Sequence, residues 1–314
     1  MEFMPPWHFA NGGSCGSISI KRLAWRFGRR PKMQIQAATE ETFIAGARPA
    51  MEDSQLIDIT LANDAHGAFV WGVLDRLLDE PRLFFRSITA SGFGGMEAAV
   101  LAYGLALGGR RGARTALTNF WRRVSHASMS VASTANPLRS ILEQSIEIAE
   151  LHKNSCRLKL NILASNVRTD TMTVFSGDRL SIDAILAGAT VPFLFPAVEI
   201  DGDAYWGECD LSALPPVQPI EAGHWLIVSG KSSGCMTPCA GYRLDANAVN
   251  SASAHTICDS HHTTSAALFT KPCNDWGELT EMRDRGRQRA EDWLLADHPS
   301  LSESSVPDNK HRYV

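Results

Sequence analysis

The chain has 314 residues, 44% of them apolar and 20% charged, which suits a soluble globular protein with a sizeable core. Its net charge of −4 gives no reason to expect a nucleic-acid partner, and no apolar run approaches the roughly 18 residues of a membrane-spanning helix. An odd count of seven cysteines, with no basic-then-apolar order of a secretory signal at the N-terminus, points to a reducing, cytoplasmic compartment.

Residues 1–50 read as a flexible basic arm. Lys21, Arg22, Arg26, Arg29, Arg30 and Lys32 carry no acid among them and are interleaved with Trp25 and Phe27. A solvated tail explains them, and so does peripheral contact with a membrane surface. Met33 is an alternative start. Residues 51–296 are expected to form the globular domain, and 297–314 a tail.

The domain opens with "LIDITLA" (56–62), rich in β-branched and apolar residues and expected to be a buried strand. In "HGAFVWGVLDRLLDE", Phe69, Val70, Val73, Leu74 and Leu77 recur at helical spacing and Pro81 stops the helix. "RLFFRSITA" predicts the second strand and Met96 to Leu107 the second helix. This β-α-β-α order with short turns predicts an α/β fold, a mostly parallel sheet flanked by helices on both faces.

Further on, "TALTNFWRRVS" reads as a helix, as does "NPLRSILEQSIEIAEL" with Asn136 as its cap. "LKLNILASN" and "MTVFSG" are strands, and "SIDAILAGAT" is a short helix capped by Ser181. "PAVEIDGDAYW" is a hairpin turning at Asp201-Gly202, and "WLIVSG" is another buried strand. Residues 231–270 are poor in large apolar side chains and read as loop or disorder. Cys235, Cys239, Cys258 and Cys273 fall near His255, His261 and His262 there. Their spacings match no standard zinc pattern, so free thiols and no metal or cofactor are expected. "NDWGELTEMRDRGRQRAEDWLLA" closes the fold as an amphipathic helix.

Laid end to end, these pieces resemble the bacterial patatin-like phospholipases. "AHGAFVWGVLDRLL" is similar to the family's first helix. "ASNVRTDTMTVFSGDRLSIDAILAGATVPFLFPAVEIDGDAYW" (164–206) is similar to the stretch before its catalytic aspartate. "NDWGELTEMRDRGRQRAEDWL" is similar to the C-terminal helix of one bacterial branch. The resemblance covers 55–230 and 270–295, with 231–270 divergent and shortened. It implies a patatin-like fold, a Ser-Asp dyad, an oxyanion loop and a lipid or acyl-ester ligand.

Each motif departs from the family pattern. The oxyanion loop, G-x-G-x-x-G in the family, reads Ala62-Asn63-Asp64-Ala65-His66-Gly67, keeping only Gly67 and placing a carboxylate where negative charge would develop. An ordinary strand-to-helix turn with Asp64 as N-cap accounts for it better. The nucleophile motif, G-x-S-x-G, aligns with Ala90-Ser91-Gly92-Phe93-Gly94, which puts Gly92 where the serine belongs and Ser91 one position away. The base position is Gly207, followed by Glu208, Cys209 and Asp210.

Three readings follow. The first is a patatin-like scaffold that has lost its chemistry. The second is an active esterase or phospholipase using Ser91, or more remotely Cys209, with Asp210 or Glu208 as base. The third is a non-enzymatic lipid- or protein-binding module. The first and third are compatible, and the altered motifs favour them.

Overall fold

The computed structural model describes residues 55–62, 66–127, 136–153, 157–192, 194–207, 224–229, 253–259, 268–269 and 274–297. The basic arm, the C-terminal tail and most of 231–270 lie outside the described residues.

The sheet has the order β5-β6-β3-β2-β1-β7-β8, with β4 paired to β3 off this path. Its centre is β1 (Gln55–Leu61), paired in parallel with β2 (Leu83–Ala90) on one side and β7 (His224–Ser229) on the other. β3 (Lys159–Asn166) continues the parallel set beyond β2. Ile57 through Leu61 are buried without alternation, as in a strand covered on both faces. Asp58, buried within this strand, is held by Arg86 and by the Ser87 hydroxyl at 2.6 Å.

β4 (Met172–Ser176), β5 (Val198–Ile200) and β6 (Asp203–Trp206) form the antiparallel wing. The hairpin turns where expected. Asp201 (φ 53) and Gly202 (φ 85) both adopt positive φ, the twist that a two-residue hairpin requires.

Helix α1 (Gly67–Leu77) follows β1, and α2 (Phe93–His126) follows β2. The two helices expected at 96–107 and 115–125 are halves of α2, which breaks helical geometry at Gly108 and Gly109. The single helix expected at 136–151 is instead α3 (Pro137–Glu143) and α4 (Ile148–Lys153). Between them the Ser145 hydroxyl donates to the Ile141 carbonyl at 2.6 Å, and Ile146 turns into the core. Such back-bonding serines compete with helix propagation. Asn136 caps α3 as expected, accepting from the Leu138 N–H. α5 (Ile182–Ala189) is capped by Ser181.

The stretch 231–270 holds a strand that its composition did not announce. β8 (Ser253–Cys258) pairs in parallel with β7 at the edge of the sheet. Its small and polar residues suffice because it shelters under α6 (Trp276–Asp297), where His255 meets the Trp293 ring edge-on at 5.6 Å.

α6 lies directly on α1. A Cβ on Gly286 would stand 2.1 Å from the Phe69 carbonyl oxygen, so this contact is glycine-tight. Around it Arg287 pairs with Asp75 and Asp79, Arg114 with Asp79, and Arg76 with Glu291. These half-exposed pairs set register more than stability.

Candidate functional site

The carboxyl ends of parallel strands are where α/β sheets hold ligands. Here β2 ends in buried Ala90, then Ser91 and Gly92 lead into α2. Gly92 sits at φ 65, ψ −149, a region almost reserved for glycine and costly for any residue with a Cβ. Its N–H donates to the Gly188 carbonyl at the end of α5, at 2.8 Å. Residue 92 is therefore a sharp strand-to-helix turn with no side chain at its tip, the backbone shape that a nucleophile elbow requires. Gly94 has a separate reason: a Cβ there would stand 2.9 Å from the Leu61 Cβ.

Ser91 is 2% exposed, and its N–H reaches the Leu61 carbonyl at 3.4 Å. Its hydroxyl lies in the packed sheet end rather than at an open surface.

Gly207 is buried just after β6. Its N–H donates to the Thr190 carbonyl at 2.8 Å. A Cβ on it would stand 2.5 Å from the Gly188 oxygen and 3.0 Å from the Thr190 oxygen. Gly92 and Gly207 thus press on one carbonyl, and standard bond lengths limit their Cα separation to about 8 Å. The structure brings the two positions together, but 207 is a tight backbone contact with no seat for a longer side chain. Glu208, Cys209 and Asp210 lie outside the described residues.

In the oxyanion-loop segment, Ala62 is buried and its N–H donates to the Val228 carbonyl at 2.9 Å, while Asn63, Asp64 and Ala65 lie outside the described residues. The N-cap of α1 is His66, where the sequence had suggested Asp64. Helix geometry begins at Gly67, and the His66 Nδ1 accepts from the Ala68 N–H at 3.1 Å. Burial lowers the His66 pKa to about 4, with Asp259 opposing and Arg285 reinforcing the shift. The ring is neutral at physiological pH, so its Nδ1 lone pair is free to cap.

Gly67, the last residue of the expected oxyanion loop, is fixed by packing. A Cβ there would stand 2.7 Å from Phe93 Cδ1 and 2.9 Å from Trp121 Cζ2. Behind it lies Glu97, fully buried, whose Oε1 accepts from the Trp121 indole N–H at 3.0 Å. Desolvation pushes its carboxyl well above the usual range, only partly offset by the bonds from Trp121 and the Trp71 backbone. Trp121 stacks on Trp71 at 6.0 Å and faces His66 at 6.3 Å. Asp259, buried at the end of β8, pairs with Arg285 of α6 at 3.7 Å.

Sequence reasoning missed Glu97 and Asp259. Glu97 was visible as an acid within the apolar run "FGGMEAAVLA", whereas Asp259 sits in the stretch read as loop. Chemically, the described residues offer a strand-to-helix turn with no side chain at its tip, a histidine committed to capping and a carboxyl buried beneath them. Among the described residues no cluster of His, Cys, Asp or Glu is placed to hold a metal ion.

Residues 65–210 match the family model described as patatin-like phospholipase. No curated protein matches the chain. Among solved structures, VipD from Legionella pneumophila is similar at 10% identity and a TM-score of 0.43, over 77% of this chain and 67% of that one. ExoU, in a heterodimeric complex with SpcU from the type III secretion system of Pseudomonas aeruginosa, is similar at 15% identity and a TM-score of 0.37, over 77% of this chain. The chain spans 52% of the ExoU length.

Proposed function

We propose that the protein, whose residues 65–210 match the patatin-like phospholipase family model, is a non-hydrolytic member of that family that binds a lipid or acyl-ester ligand without cleaving it. The observation that carries the proposal is Gly92. It holds the backbone conformation of an elbow and provides no atom to attack with. Loss of the nucleophile alone costs on the order of 10⁶-fold in a serine hydrolase.

Two further features support the reading. Gly207 has no room for the Cβ of a carboxylate base. The oxyanion-loop segment keeps one of its three glycines, and the Ala62 N–H is spent on the Val228 carbonyl at 2.9 Å, where loss of one oxyanion donor costs about 10²–10³-fold. The alternative, Ser91 acting with Asp210, is disfavoured by the burial of Ser91 at 2% exposure.

Ester hydrolysis and lipid binding measured side by side on the purified protein test the proposal. The expected result is saturable binding of a fluorescent phospholipid with no turnover of a short-chain p-nitrophenyl ester above the buffer rate. Ester turnover that saturates with substrate and scales with protein concentration overturns it.

A further inference from the structure

A second concavity lies away from the elbow, between α2, α4, the start of β3 and the 3-10 turn Gly177–Arg179. It has a volume of about 280 Å³. Its floor includes Ala102 and Ala106, one helical turn apart on α2, together with Leu160 of β3. Helical rise puts these alanines about 14–20 Å down α2 from its start beside Gly92. Interiors are packed nearly without voids, so a space left by two alanines is one that larger side chains would close.

The rim carries charge of both signs. Glu150 is already compensated by Lys153 at 2.5 Å. Lys159 and Asp178 are not compensated. They fall at facing positions two residues beyond the Asn161–Ser176 rung of the antiparallel β3–β4 ladder, both are exposed, and neither forms an ion pair among the described residues. Asn161, two residues along β3 from Lys159, is committed to the Thr89 hydroxyl at 3.2 Å. His152 is fixed on the α4 side by its bond to the Leu180 carbonyl at 2.7 Å. The walls are thus held by bonds within the fold, while one ammonium and one carboxylate remain open to an outside partner.

We propose that this concavity binds a small zwitterion, with its ammonium group at Asp178, its phosphate or carboxylate at Lys159 and a short carbon body on the alanine floor. A cation alone or an anion alone satisfies only half of the rim. The chemistry is that of an aminoalkyl phosphate, whether free in solution or borne as the headgroup of a lipid.

The test is calorimetric titration of the full chain with glycerophosphoethanolamine, and with ethanolamine and glycerophosphate as its two halves. Saturable binding of the zwitterion is expected, with each half weaker by about tenfold or more, the worth of one charge-assisted contact. Lys159→Gln and Asp178→Asn should each weaken the zwitterion by a similar factor, and both residues are exposed, so folding is spared. Ala106→Leu, which fills a half-exposed part of the floor, should abolish binding at an unchanged melting temperature. Co-sedimentation with phosphatidylethanolamine vesicles that Lys159→Gln abolishes assigns a lipid source. Zwitterion binding without co-sedimentation assigns a soluble one. No saturable binding by the parent, or binding indifferent to all three variants, overturns the proposal. Ester hydrolysis bears on the elbow alone, so the two proposals fail separately.

Discussion

Replacing Gly207 by Asp would restore a carboxylate at the position aligned with the family's base, and the structure predicts that the fold resists it. A Cβ at 207 would stand 2.5 Å from the Gly188 oxygen and 3.0 Å from the Thr190 oxygen, and both obstacles are backbone. Relief requires moving the 207 turn, which loosens its 2.8 Å bond to Thr190, or moving Gly188, which loosens the 2.8 Å bond from Gly92. Overpacking of this kind costs about 1–3 kcal/mol and a weakened backbone bond about 1 more. A carboxylate facing two carbonyl oxygens adds repulsion, so Gly207→Ala should lose roughly 2 kcal/mol and Gly207→Asp roughly 3–4. At about 2–4 °C per kcal/mol, the Asp variant should melt roughly 6–16 °C below the parent. Urea unfolding and thermal melts of the three proteins measure both quantities. If both variants lie within about 0.5 kcal/mol of the parent, the range of an ordinary surface change, the chain does not press Gly207 on Gly188 and the steric account is refuted.

Gly92→Ser should cost about 1–3 kcal/mol, because φ 65, ψ −149 is paid for by any residue with a Cβ, and it should gain no esterase activity. A stable variant hydrolysing a short-chain ester would show that a base already stands beside the elbow. His66→Asn should change the acid limb of stability. The folded pKa of about 4 lies below the unfolded value of 6.5, so the histidine's contribution is complete above pH 6.5 and is lost as pH falls toward 4. That loss amounts to roughly 3 kcal/mol; Asn keeps the cap without it, and urea titrations from pH 4 to 7 should show a shallower slope in the variant. Glu97→Gln acts on the opposite limb. The raised carboxyl pKa leaves stability complete below about pH 4.5 and erodes it as pH rises, whereas Gln stays neutral and can still accept from Trp121. The variant should match the parent near pH 4 and exceed it at pH 8, and equal stability at both would show that Glu97 carries no desolvation cost.

The parallel core was legible because its period and punctuation are local. Ile57, Ile59, Thr60 and Leu61 of β1 and the "ITA" end of β2 are apolar or β-branched, and Asp201-Gly202 is a turn that needs no tertiary context. The strand-to-helix turn after β2 was legible through its glycines, and a positive φ at residue 92 is what those glycines permit. What escaped depends on distant neighbours. β8 is a strand because β7 and α6 shelter it, and "SAHTIC" alone lacks the apolar content to say so. His66 caps α1 because burial keeps it neutral, a property set by the surrounding fold, and the short-side-chain preference at caps had pointed to Asp64 instead. The reason for a glycine at 207 is a carbonyl nineteen positions earlier, which no local pattern contains.

The proposed loss of serine hydrolase chemistry is tested most directly by incubating the purified chain with a fluorophosphonate and weighing the intact protein by mass spectrometry. The structure predicts an unmodified mass, because the elbow ends in Gly92 and Ser91 is buried at 2% exposure. Stoichiometric addition of one phosphonyl group, lost in Ser91→Ala, would contradict it and make the residue beside the elbow an active nucleophile.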